Sequence, residues 1–180
     1  MPTYIALLRG INVSGQKLIK MTDLKELFEA LGFQNVQTYI QSGNVIFSSK
    51  EKSLDKLESI ISTAIRKKFG FDAVVIVITP EVLEYILENN PFIKKIMAIE
   101  RLYVTFLSDT PSEENINKLG AINYSPEEYI IDQKIIYLHF PNGAGKVKLS
   151  NNLFESKLKV DATTRNLKTI NKLWELSNKS

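Results

Sequence analysis

The chain has 180 residues, 44% hydrophobic and 24% charged, close to soluble globular averages and enough for one large domain or two small halves. Disorder and collagen-like repeats are excluded. With no cysteine, so are a disulfide scaffold, a zinc ribbon and a thiol nucleophile. The net charge of +3 divides unevenly: residues 1–20 carry +3, residues 21–133 carry −6 and residues 134–180 carry +6. Positive charge at both chain ends favours anionic partners wherever those ends meet. The apolar runs Ile5–Leu8 and Ala73–Ile78 are far shorter than a ~20-residue membrane span. The N-terminus lacks the basic region of a signal peptide. The expectation is a cytoplasmic protein with no membrane partner.

Thr3–Arg9 is a short apolar run without a helical stripe and reads as a buried strand. After a loop from Gly10 to Gly15, Met21, Leu24, Leu27, Phe28 and Leu31 recur at helical spacing, with Thr22 as N-cap and Gly32 as stop. Val36–Gln41 and Asn44–Ser49 read as strands joined by a two-residue turn at Ser42-Gly43. Ser53 caps a second helix whose inward stripe is Leu54, Leu57, Ile60, Ile61, Ala64, Ile65 and Phe69, and Gly70 ends it. Asp72–Ile78 is another buried strand, completing β-α-β-β-α-β, the ferredoxin-like order.

Thr79-Pro80-Glu81 opens a third helix, cap then proline then acid, which stops before Pro91. Arg101–Leu107 alternates as a strand, and Ser112 caps a helix ending at Gly120. Glu128–Asp132 and Lys134–Phe140 pair as strands, a weak helix lies near Asn151–Leu158, and a last helix carries Leu167, Ile170, Leu173 and Trp174. The fold class is α+β: a βαββαβ half at residues 1–79, then a similar βαββα half plus terminal helix at 80–180. Strands apolar on both faces need cover on both, and no Pro-, Gly- or Ser-rich linker separates the halves, so one globular unit over 1–180 is expected.

Three segments hold polar residues where a plain loop has no need of them. The first supplies donors from Arg9, Asn12 and Lys17 around Gly10 and Gly15, whose missing side chains let backbone amides approach a ligand. The second is Gln41, Ser42 and Asn44 at the hairpin tip. The third is Thr164, Arg165 and Asn166 at the start of the last helix, where unpaired N–H groups attract anions and an arginine is out of place unless an anion accompanies it. Neutral hydrogen-bonders with guanidinium and almost no carboxylate suit a phosphate-bearing or nucleotide-like ligand.

Sharper motifs fail. Gly143-Ala-Gly-Lys146 lacks the first glycine and the Ser/Thr of a P-loop. His139, the one histidine, has no acid near it in sequence. Metal-ligand spacing is absent, no catalytic constellation is recognisable, and no cofactor is implied.

The combination Ala6-Leu-Leu-Arg9-Gly-Ile-Asn12-Val, Thr38-Tyr-Ile-Gln41-Ser-Gly-Asn44-Val and Ala162-Thr-Thr-Arg165-Asn-Leu-Lys-Thr169 resembles the bacterial family called domain of unknown function 1697. The resemblance implies tandem ferredoxin-like halves and brings no activity. Where the family pattern has glycine and an aromatic, this chain has Ser14 and Leu167. Besides the anion-binding reading, two others fit. One is an RNA- or DNA-binding module, with Tyr4 and Phe47 near base-stacking positions. The other is a structural or interaction protein whose polar motifs lock loops together.

Overall fold

Five of the six residues of β1 (Thr3–Leu8) are buried, because it is a central strand. The computed structural model describes residues 1–95 and 98–179. In it β1 lies between β3 (Asn44–Ser48) and β4 (Val75–Ile78), with β2 (Gln34–Tyr39) outside β3, giving the antiparallel order β2-β3-β1-β4. Ala6 stands opposite Val45 on one side and Val77 on the other. Strand alternation sends Tyr4, Ala6 and Leu8 into a core with Leu24 and Phe28 of α1 (Met21–Ala30) and Leu57, Ile61 and Ile65 of α2 (Leu54–Phe69). The Phe47 ring sits 5.4 Å from Phe28 and 4.6 Å from Phe33, an aromatic centre for this core. Ile5 and Leu7, on the opposite face, are fully buried too.

The element limits follow local chemistry. The Ser53 hydroxyl accepts from the Lys56 amide and Gly70 closes α2 at φ +79, as expected. Thr22 is not the cap of α1: the helix begins at Met21 behind Lys20, which makes no side-chain cap bond. Asn12 holds Ile19 just before that point and fixes where the chain enters the helix. The hairpin turn has four residues, not two, since Tyr39 pairs with Asn44 across Ile40–Gly43. β4 starts at Val75 rather than at Asp72; Val74 O accepts from the Arg9 amide in line with the β1–β4 register, and Asp72 O accepts from Lys17 Nζ.

After α3 (Pro80–Asn89), β5 (Leu102–Leu107), α4 (Glu113–Gly120), β6 (Glu128–Asp132), β7 (Ile135–His139), α5 (Asn151–Leu158) and β8 (Ala162–Asn166) repeat the plan, in sheet order β6-β7-β5-β8. Ser112 and Ser150 cap α4 and α5 through their hydroxyls. The second half is therefore βαββαβ, not βαββα. β8 pairs with β5 in the register Thr105↔Thr164, and α6 (Leu167–Asn178) follows it directly. Its sequence Ala-Thr-Thr-Arg-Asn has no apolar alternation, so it reads as the start of the last helix although it is a strand with Thr163 and Arg165 buried.

The chain divides into two compact units, Met1–Tyr85 with Lys172–Ser180, and Ile86–Asn171, with the divisions falling inside α3 and α6. Among the described residues no helix is long and apolar enough to cross a membrane.

Candidate functional site

In the first unit β1 and β2 end where β3 and β4 begin, so the loops 9–20, 40–43 and 70–74 gather at one end of the sheet. The first two polar segments meet there. Asn12 Nδ2 donates to Gln41 O at 2.8 Å and to Ile19 O at 3.0 Å, while its Oδ1 accepts from Ile19 N at 2.8 Å. Leu8 N donates to Gly43 O at 2.9 Å. Only glycine fits at 43: φ is +90, and a Cβ would lie 2.8 Å from both Leu8 Cβ and Ile11 Cδ1. Buried Asn44 closes the hairpin, its Nδ2 donating to Tyr39 O and Ser42 Oγ, both at 3.0 Å.

The loop after β1 is built from left-handed residues: Gly10, Asn12, Ser14, Gly15 and Lys17 all have φ between +48 and +72. Within it Asn12 N donates to Lys17 O and Gln16 N to Val13 O, which close the loop on itself. Ser14 has φ +52 where the family resemblance expects glycine, the residue that adopts this conformation without steric cost. Ile40 has φ +49, a conformation in which a β-branched residue is an outlier.

Charge collects at the same end. Lys17 Nζ donates to Asp72 O at 2.9 Å and stands 6.0 Å from the Phe71 ring centroid. Lys68 Nζ reaches Asp23 O at 3.5 Å, and Arg66 pairs with Asp72 at 3.5 Å. Residues 9–23 and 66–72 hold six bases, Arg9, Lys17, Lys20, Arg66, Lys67 and Lys68, against the two acids Asp23 and Asp72. Among the described residues no carboxylate pairs with Lys17, Lys20, Lys67 or Lys68. Arg66–Lys68 escaped the sequence reading, because regional charge counts placed them in the acidic middle of the chain.

The third segment belongs to the second unit. Arg165 is not in a first helical turn but in β8, buried, with Nη1 donating to Thr163 Oγ1 at 2.9 Å and Thr164 O at 3.0 Å. Burial lowers its pKa to about 10. Thr164 Oγ1 lies 2.7 Å from both Thr105 Oγ1 and Asn151 Oδ1, tying β8 to β5 and α5. Asn166 caps the last helix, its Oδ1 accepting from Thr169 N at 2.7 Å.

His139 does have an acid partner: Glu128 Oε1 is 3.2 Å from Nδ1, because the β6–β7 register sets the two opposite each other. Only strand pairing could have revealed this. Tyr4 and Phe47 are buried in the helix-facing core and present no ring face for base stacking. A depression of about 340 Å³ at the other end of the first sheet is bordered by Thr3, Tyr4, Thr79, Glu81 and Ser177, with an acid and no base. Its chemistry does not suit an anion. Among the described residues no group of three His, Cys, Asp or Glu could hold a metal.

Fold and site define a tandem ferredoxin-like α+β protein with a basic loop end on its first unit. The model of the family described as "Protein of unknown function (DUF1697)" matches residues 1–137, and the chain belongs to that family. That match covers the first two polar segments and stops short of the third. A conserved bacterial protein from Streptococcus pneumoniae has a similar structure, with a TM-score of 0.73 at 24% identity over 97% of this chain and 98% of that one. The likeness is one of fold. No curated protein matches the chain.

Proposed function

We propose that the protein binds a phosphate-bearing anion, small or nucleotide-like, at the loop end of its first unit. The observation that carries this reading is the excess of basic over acidic residues on three segments tied together by named hydrogen bonds. We assign Arg9, Lys17, Gln41 and Ser42 to the ligand, Lys17 and Ser42 each also holding a bond within the loops, to Asp72 O and from Asn44 Nδ2, with Lys20, Lys67 and Lys68 supplying field. Concentrated charge of one sign raises the local concentration of an opposite ion. Side-chain hydrogen bonds of Asn12, Asn44, Thr164 and Asn166 bind the chain to itself, which supports the loop-locking reading for these four. In our reading they build the platform rather than contact the ligand.

Thermal unfolding at low salt, against phosphate, diphosphate and nucleotides, tests this. A ligand at ~100 times its Kd stabilises the folded state by about 2.7 kcal/mol. The parent should rise by several degrees, and Lys17→Gln with Lys67→Gln and Lys68→Gln should remove the rise without lowering the unliganded midpoint. An equal rise in parent and variant, or none in either, would contradict the reading. Arg165→Lys in the same panel assigns Arg165: loss of the rise in a folded variant makes it part of the ligand site.

A further inference from the structure

We propose that the phosphates recognised at this end are lipid headgroups, so that the loop end of the first unit docks on the surface of an anionic bilayer. The inference rests on the phosphate reading above and adds what the charges alone do not explain. Leu18 is 69% exposed, Val13 56% and Ile40 47%. Single exposed aliphatic residues are ordinary. These three lie on two loops that Asn12 joins directly, and Leu18 directly follows Lys17.

Two of the three stand on constrained backbone. Val13 stands on a tight turn closed by Gln16 N donating to Val13 O at 2.9 Å. Ile40 holds a left-handed conformation that asparagine or glycine adopts at less cost, yet the position carries a β-branched apolar side chain facing water. Strained residues of this kind cluster where a surface is used.

A free nucleotide or inorganic phosphate has no apolar phase to receive these side chains. Single-stranded nucleic acid is held by ring faces as well as by charge. Here Phe71 and Phe69 lie beneath the ammonium groups of Lys17 and Lys68, and Tyr4 and Phe47 are buried. A bilayer supplies both halves of the match: phosphates for Lys17, Lys20 and Arg66–Lys68, and an acyl boundary just below them for Leu18, Val13 and Ile40. Apolar insertion and the attraction of a basic patch to anionic lipid add to one another in surface attachment. The sequence expectation of no membrane partner rested on the lack of a spanning segment, which surface docking does not need.

Co-sedimentation with vesicles of phosphatidylglycerol and phosphatidylcholine, against vesicles of phosphatidylcholine alone, tests the proposal. A parallel titration uses soluble glycerol phosphate. The parent should sediment only with the anionic vesicles. The double variant Leu18→Ser, Ile40→Asn should lose about tenfold in vesicle affinity while keeping glycerol phosphate binding and an unfolding midpoint at or above the parent's. Undiminished vesicle binding by that variant would overturn apolar insertion. Glycerol phosphate binding without vesicle binding would overturn the lipid source and leave the anion site standing. Binding to neither would overturn both readings. Preference for single-stranded RNA over vesicles would assign the surface to nucleic acid instead.

Discussion

Asn12 uses both amide hydrogens and its carbonyl oxygen to hold Ile19 and Gln41, so one side chain sets the entry to α1 and the position of the hairpin tip. Asn12→Ala removes three hydrogen bonds and leaves their partners partly shielded. It should cost about 2–3 kcal/mol of stability, measured by urea unfolding. A loss below about 0.5 kcal/mol would show that water replaces the side chain there. Arg165 is a different kind of residue. Its lowered folded pKa, about 10, means that the folded chain gives up its proton before the unfolded chain does as pH rises. Below that value both states are charged and the cost of burial is constant. Between it and the ordinary arginine range, rising pH relieves the cost. The stability difference between the parent and Arg165→Met should therefore be equal at about pH 6 and about pH 8, measured by chemical denaturation. A difference that changes across this range would require another group to titrate with it.

Among the elements, the caps were the most legible, because Ser53 and Ser112 carry the oxygen that an unpaired helix amide needs and nothing nearby competes. Thr22 misled because tertiary contacts through Asn12 decide where α1 begins. β8 was illegible for a related reason. Its threonines and arginine are satisfied by β5, α5 and one another, and a single sequence shows polar residues without their partners. The hairpin tip showed its glycine but not its length, which Asn44 sets by bonding back to Tyr39 and Ser42. Asn166 marks the point where β8 becomes α6. Asn166→Ala should lower the unfolding free energy by about 1 kcal/mol, and Asn166→Ser should restore most of it. Equal losses in both would place the asparagine's role outside capping.

On the scale of the whole molecule the two units repeat even a detail that element order does not demand. Glu58 is the fifth residue of α2 and accepts from Val77 N at 3.0 Å; Glu155 is the fifth of α5 and accepts from Ala162 N at 3.1 Å. In each unit a helix carboxylate covers an edge-strand amide that would otherwise stay open to pairing. The element order that revealed the tandem plan was readable from hydrophobic periodicity. The basic loop end was readable only in part, since the segments of Lys17 and of Arg66–Lys68 lie about fifty residues apart in sequence and are joined only through the fold, by Lys17 to Asp72 and Lys68 to Asp23.

Amide-resolved NMR during titration with glycerol phosphate tests the central claim most directly, because it locates the response as well as detecting it. The expected result is saturable shifts at Arg9–Lys17, Gln41–Gly43 and Arg66–Asp72, with the amides of β5–β8 unmoved. Shifts confined to other segments, or a spectrum unchanged at every concentration, would contradict an anion site at the loop end of the first unit.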